Sequence, residues 1–173
     1  MSEVSKEGDN TVRLSERRAF SRSFKRLHDE GMALIEQTAQ YLDGEGRRAS
    51  RLLEGDASAL YSAESMRLTT RLMQLASWLL LQRAANSGEL TREQIEVEKY
   101  KVRLDTPAAS SGTPGWNELP APFRDLIERS LSVQTRVRQM DDDLYGAPAD
   151  PAKRRRNPVS DQIALLKTAF GRG

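Results

Sequence analysis

The feature that most constrains the fold is one apolar stretch, MRLTTRLMQLASWLLLQRA, at residues 66–84 of a chain of 173 residues. Only eleven residues separate Arg71 from Arg83, whereas a helix that spans a membrane needs about 20 apolar residues. Gln74 also interrupts the run. The stretch is therefore predicted to be a helix that packs against other helices and does not cross a membrane.

This helix is predicted to be the longest in the protein, from Ser58 as its N-cap to Asn86. At 100° per residue its apolar sector covers about half of the circumference. Two rows of side chains form that sector: Leu68, Leu72, Leu75 and Leu79 in one, and Met66, Met73, Leu80 and Ala84 in the other. Because so wide a sector contacts two partner helices, both rows are predicted to be buried at the centre of a bundle.

The remaining arc of the same helix is polar, yet it includes a tryptophan. Its members are Arg67, Arg71, Gln74 and Trp78. Because Trp and Arg are enriched where proteins bind one another, this arc is a candidate dimer or partner surface. The alternative is that Trp78 lies over the arginine side chains or under another segment of the same chain. The sequence leaves both interpretations open.

Two other long helices are predicted from apolar residues at steps of three and four. The first covers residues 20–42 and has Gly31 inside its apolar stripe, where a missing side chain lets a neighbouring helix come close. The second runs from Pro120 to Leu144. The fold class is therefore all-α, a three-helix bundle of long antiparallel helices with disordered N- and C-terminal tails.

Shorter features connect these helices. One helical turn is expected in the linker that follows the first helix. Thr91 and Gln94 have the spacing of a capping box and predict a short helix. Residues 105–122 contain several prolines and are predicted to be a long loop, which Trp116 pins to the bundle.

The predicted domain organisation is a disordered lead-in over residues 1–18, a helical bundle over 19–145 and a flexible tail over 146–173. The tail has six basic and two acidic residues, a net charge of +4, which leaves −2 for the rest of the chain. It combines a basic run with a short apolar motif and is a candidate partner-binding segment, with docking on its own bundle as the alternative. Its candidate residues are Lys153, Arg154, Arg155, Arg156, Ile163, Leu166 and Phe170.

Residue types that carry catalysis are scarce. The chain has no cysteine and a single histidine, His28, without a nucleophile motif beside it. Asp141, Asp142 and Asp143 are consecutive, so on a helix they point about 100° apart and cannot converge on one metal ion. We therefore predict no enzyme, no cofactor and no metal site.

Charge and composition narrow the remaining functions. The net charge is only +2, which argues against a domain dedicated to nucleic acid. A small helical regulator that binds nucleic acid through the basic run stays as the alternative function. The polar N-terminal stretch has no apolar run of a secretory signal, and the absence of cysteine is compatible with the reducing cytoplasm.

Two stretches resemble a known family. EGMALIEQTAQYLDGEGR at residues 30–47 and AESMRLTTRLMQLASWLLLQRA at 63–84 are similar to the regulator-of-CtrA-degradation (RcdA-like) family of alphaproteobacteria, and KVRL at 101–104 also fits. The resemblance covers roughly residues 20–104. It implies a homodimer of three-helix bundles without enzymatic activity.

The resemblance also implies a function and its partners. Members of this family act as adaptors that help the ClpXP protease take up a cell-cycle regulator, by linking it to a response-regulator-type protein. They are associated with the cell pole. The expectation is therefore a cytoplasmic protein that binds the protease unfoldase, a second adaptor and a cargo, and that is recruited to the pole.

Overall fold

The computed structural model describes residues 4–146, with side chains from residue 20 onward apart from residue 92. These residues form five α-helices and one short 3₁₀ helix (Trp116–Glu118), with no strand among them. The protein is therefore all-α, as predicted. The α-helices are α1 (Val4–Asp43), α2 (Glu45–Ser50), α3 (Gly55–Asn86), α4 (Arg92–Tyr100) and α5 (Ala121–Tyr145).

Helix α1 runs antiparallel to α5. Glu30 in the middle of α1 forms an ion pair with Arg136 late in α5, whereas Tyr41 near the end of α1 stacks on Phe123 at the start of α5. Positions along α1 therefore increase as positions along α5 decrease. Arg136 also lowers the pKa of the Glu30 carboxyl, mainly through its hydrogen bond to that group.

Helices α3 and α5 run parallel to each other. Tyr61 contacts Phe123 with ring centroids 4.3 Å apart, and Arg71, ten residues later in α3, binds Ser130 in α5. Since α1 is antiparallel to α5, the antiparallel arrangement predicted for the bundle holds for that pair, whereas α3 and α5 run in the same direction. The physical consequence is a long connection, residues 87–120, which must travel back along the bundle before α5 begins.

The core lies between these three helices and includes large side chains that are almost fully buried. Trp78 in α3 packs against Phe24 in α1 with ring centroids 6.3 Å apart, and Leu79 is fully buried. A Cβ atom at Gly31 would lie 2.6 Å from Leu79 Cδ1. The predicted role of Gly31 agrees with this close approach of α1 and α3, because a larger residue there would require the Leu79 side chain to shift.

Residues 101–115, which we call the return segment, lead from the end of α4 back along α3. At its far end Gly115 has a positive φ of 82°, and a Cβ atom there would lie 2.6 Å from the Ala57 backbone nitrogen. Trp116, directly after it, is buried. The predicted anchoring of the loop by this tryptophan is confirmed.

The start of α4 also agrees with its sequence signal. The Thr91 side chain accepts a hydrogen bond from the Gln94 N–H, and the Gln94 side chain accepts one from the Thr91 N–H at 2.9 Å. Both bonds of a capping box are therefore present, and they satisfy two N–H groups that the helix itself cannot pair.

Helix α1 begins at Val4, inside the stretch 1–18 for which a disordered lead-in is predicted, and that lead-in stays a prediction. One predicted helix start is wrong. Helix α3 begins at Gly55 with Glu54 as its N-cap, three residues before Ser58. The prediction of Ser58 as the N-cap fails because Ser58 lies inside the first turn of α3.

Residues up to Arg138 form one compact unit, and residues from Gln139 belong to a second. Within the second unit, α5 ends at Tyr145, where the Gly146 N–H donates to the Asp142 carbonyl at 2.9 Å. The basic run and the apolar motif of the predicted tail lie outside the described residues.

Candidate functional site

The polar arc of α3 faces the return segment of the same chain, and Arg71 is its centre. The Arg71 side chain is fully buried. Its Nη2 donates to the Pro107 carbonyl at 2.8 Å and its Nε to the Thr106 carbonyl at 3.4 Å, while Nη1 donates to Ser130 Oγ at 2.8 Å. One guanidinium group therefore joins α3, the return segment and α5. Burial lowers the pKa of Arg71, because the charged form has lost water.

Two other side chains on this arc bind the backbone of the return segment. Gln74 Oε1 accepts a hydrogen bond from the Arg103 N–H at 2.8 Å, and Glu64 Oε1 accepts one from the Ala109 N–H at 3.0 Å. Glu64 is fully buried and also pairs with Arg67, whose Nη1 lies 2.5 Å from Oε1. We call this surface, with Glu64, Arg71, Gln74 and Trp78, the covered face of α3.

The burial of the covered face bears on the two interpretations of the predicted partner surface. Arg71 and Trp78 are 0% and 1% exposed, so neither side chain lies at a surface in this fold. The interpretation that other segments of the same chain cover Arg71 and Trp78 agrees with the structure. Their contact with a partner stays a prediction, and their burial argues against it. Arg67 remains half exposed and Gln74 is half-buried.

The opposite side of α3, which we call the outer face, has the reverse character. Met66, Met73 and Leu80 were predicted to be buried in the bundle, yet they are 74%, 65% and 51% exposed. That prediction is wrong, because hydrophobic periodicity does not distinguish burial within a chain from burial between chains. The three residues are seven positions apart, so they form one straight row along the helix.

The outer face also lacks charge. Between Ala59 and Leu80 it carries no ionisable side chain, and the residues beside the exposed row are small. It extends over about 32 Å at 1.5 Å per residue. Surface helices normally present charged residues to water, and an uncharged apolar row with small neighbours is typical of a helix that packs against another helix. The members of the outer face are Ala59, Ser62, Ala63, Met66, Thr69, Thr70, Met73, Ala76, Ser77 and Leu80.

The described residues contain no group of three or more potential metal-ligating side chains. His28 is paired with Asp29 at 3.3 Å and packs against Phe24, with ring centroids 6.0 Å apart. Asp142 and Asp143 are exposed at the end of α5. Across residues 4–146, no helix is both long enough and apolar enough to cross a membrane.

The described residues thus form an all-α protein with a buried polar network on one side of α3 and an uncharged, exposed face on the other. The chain belongs to the family described as "Protein of unknown function (DUF1465)", which its residues 15–170 match. It is an RcdA-like protein, so the resemblance inferred from the helices is confirmed. A comparison with curated proteins gives no match.

This chain is similar to RcdA in structure as well as in sequence. A crystal structure of RcdA from Caulobacter crescentus CB15 is 44% identical in sequence and has a TM-score of 0.59. The match covers 72% of this chain and 92% of that chain. Relation to a regulator of CtrA degradation supports a regulatory role for this chain that depends on protein partners.

Proposed function

We propose that this protein is a non-enzymatic adaptor or scaffold that promotes degradation of a cell-cycle transcription regulator by the ClpXP protease. The similarity to RcdA supports this function. The outer face of α3 is the observation that carries it, because an exposed apolar row without charges has the composition of a protein interface.

The outer face is proposed to bind a second copy of the chain, which makes the protein a homodimer. Met73 lies midway between Met66 and Leu80 in the sequence, so a two-fold axis near Met73 would place Met66 of each copy against Leu80 of the other. Such an arrangement is self-complementary, as a two-fold interface requires. Small neighbouring side chains allow the two helices to come close.

The dimer is tested with Met73→Glu, which puts a charge in the centre of the outer face. Sedimentation equilibrium is expected to show a dimer for the unaltered chain and at least a tenfold weaker association for the variant, about 1.4 kcal/mol or more. Val97→Glu is the matched control, because Val97 is a comparably exposed apolar residue on α4. A Met73→Glu chain that associates as tightly as the control contradicts this interface.

The adaptor role is tested in a reconstituted reaction with purified ClpXP, a response-regulator-type protein and the cargo regulator. Adding the full chain is expected to increase the rate of cargo degradation. The tail residues Lys153, Arg154, Arg155, Arg156, Ile163, Leu166 and Phe170 are proposed to recruit one partner, so a chain truncated after residue 145 should lose that contact. Full stimulation by the truncated chain removes the tail from the proposal.

Separate experiments test the proposed localisation and the alternative function. A fluorescent fusion is expected at the cell pole as well as throughout the cytoplasm, and a uniform signal contradicts recruitment to the pole.

If the basic run binds nucleic acid instead, the affinity for nucleic acid should fall steeply between about 50 and 200 mM salt. Nucleic-acid binding with that salt dependence and no effect on proteolysis would replace the adaptor proposal with the alternative.

A further inference from the structure

The return segment lies on α3 as an extended peptide lies in a binding groove. From Lys101 to Ala108 its residues alternate between exposed and half-buried. This period of two is the pattern of an extended chain with one side against a surface. The side chains that face the bundle are Val102, Leu104, Thr106 and Ala108.

Side chains of α3 bind both kinds of backbone group in this segment, its N–H groups and its carbonyl groups. Glu64 accepts from one N–H group, and Arg71 donates to two carbonyl groups. Seven residues of helix separate these two side chains, about 10.5 Å along the axis. Three residues of extended chain, from Thr106 to Ala109, span about 10 Å. The two spacings match over this stretch, and each of these contacts is made to a backbone group of the return segment and not to one of its side chains.

The groove retains one hydrogen-bonding position that the return segment does not use. Glu64 is fully buried, and its Oε2 has no hydrogen-bond partner among the described residues. A buried carboxylate oxygen without a donor is unfavourable. An occupant that supplied a hydroxyl or amine donor at this point would complete the site.

Apart from its hydrogen bonds to Glu64, Arg71 and Gln74, the return segment makes few contacts that hold it in place. No side chain from residue 101 to residue 115 is fully buried. Between Arg103 and Ala109 the described structure contains no backbone–backbone hydrogen bond. Departure of the segment would return water to the buried charges of Glu64 and Arg71. Few buried contacts are characteristic of regions that open locally without global unfolding.

From these observations we propose that the covered face of α3 is a binding site for an extended peptide of a protein partner, and that the return segment is its resident occupant. The partner peptide has small or aliphatic side chains at alternate positions. It also has a hydroxyl or amine donor that reaches Glu64 Oε2. It binds when the return segment leaves, so access to the site is controlled by the chain itself.

The probe for this site is a fluorescein-labelled peptide with the sequence of residues 101–112, added to the full chain. Leu104→Asp in the chain weakens the hold of the resident segment without altering α3. Fluorescence anisotropy is expected to show at least tenfold tighter peptide binding to the Leu104→Asp chain than to the unaltered chain. Adding Arg71→Met to the Leu104→Asp chain should abolish peptide binding. A folded Leu104→Asp chain that does not bind the peptide overturns the proposal.

The donor at Glu64 is tested by changing the peptide. Ala109→Ser in the peptide places a hydroxyl beside Glu64 and is expected to strengthen binding about three- to tenfold. Ala108→Ser gives a control peptide of the same composition, which should not bind more tightly than the original. Equal affinities for all three peptides overturn the assignment of the donor position.

Hydrogen exchange of the unaltered chain keeps the proposal testable if Leu104→Asp fails to fold. The amides of Arg103 and Ala109 are expected to exchange at least a hundredfold faster than those of the central turns of α3. If they exchange only as slowly as α3, the resident segment does not leave and the site is never free. This result is independent of the dimer, because the outer face lies on the opposite side of α3.

Discussion

The two faces of α3 have opposite chemistry and opposite exposure. The covered face contains buried charged groups, Glu64 and Arg71, while the outer face is apolar and uncharged but in contact with water. A helix at the surface of a soluble protein normally has the reverse arrangement. The comparison shows that this helix uses its charges to bind its own chain and leaves apolar side chains exposed, on the face where we propose that a second copy binds.

Among substitutions on the two faces, Trp78→Ala on the covered face is expected to have the largest effect on stability. Loss of the indole leaves a cavity against Phe24 and should lower the free energy of unfolding by about 4 kcal/mol. Urea denaturation measures this change, and Trp78→Phe, which keeps an aromatic ring, should cost less. A stable Trp78→Ala chain with altered dimerisation would instead place Trp78 at an interface and reverse the comparison.

Arg71→Ala is expected to have the next largest effect. It removes the donors to two backbone carbonyls and one hydroxyl, and should cost about 3 kcal/mol. Thermal and urea unfolding measure the loss. Arg83→Ala, at an exposed arginine of the same helix, is the matched control and should change stability by less than about 0.5 kcal/mol. Equal effects of the two variants would show that the contacts of Arg71 contribute little.

Alkaline pH separates the buried core, to which Tyr41 of α1 belongs, from the outer face of α3, which has no group that titrates. Burial raises the pKa of Tyr41 to about 12 from its usual 10.0, and its hydroxyl has no hydrogen-bond partner among the described residues. Below pH 10 both folded and unfolded chains keep the proton. Between about pH 10 and 12 the unfolded chain loses it first, so stability should fall by about 1.4 kcal/mol per pH unit.

Urea midpoints at about pH 9 and about pH 11 measure this loss. Tyr41→Phe should remove the part that belongs to Tyr41 and leave stability at neutral pH unchanged or slightly raised, because it deletes a buried hydroxyl without a partner. Burial also raises the pKa of Tyr61, so a smaller loss should remain in this variant. An identical pH dependence in both chains contradicts the assignment to Tyr41.

The smallest effect is expected on the outer face. Met66→Ser should change the free energy of unfolding by less than about 0.5 kcal/mol, because Met66 makes little contact within its own chain. The measurement needs a protein concentration at which the chain is monomeric, since dimerisation adds its own stability. A loss of 2 kcal/mol or more would show that the row is buried within the chain after all.

The sequence predicts the long helices well because their apolar stripes repeat with the helical period. The stripe of α5, the capping box at Thr91 and the close approach at Gly31 each rest on a local pattern whose physical cause is known. The all-α class follows from these segments, whereas the family follows from the resemblance of residues 30–47, 63–84 and 101–104. The residues of α1 before its stripe have no apolar periodicity, so the hydrophobic pattern does not predict a helix there.

The sequence predicts only part of the covered face, namely most of its residues but not the segment that covers them. Glu64, Arg71 and Gln74 look like a solvated arc, because the sequence does not show which distant segment reaches them. The tryptophan among the polar residues is the one signal that this arc is covered. Exposure of Met66 and Met73 was not predictable, since periodicity identifies an apolar face but not the molecule that buries it.

The parallel arrangement of α3 and α5 has a consequence for the order of folding. The partners of Gln74, Arg71 and Glu64 in the return segment lie 29 to 45 residues further along the chain. During synthesis α1 and α3 emerge before those partners exist, so the nascent hairpin carries its charges in water. We expect the return segment to dock after the folding transition state. Weakening its contacts should then accelerate unfolding and leave the folding rate almost unchanged.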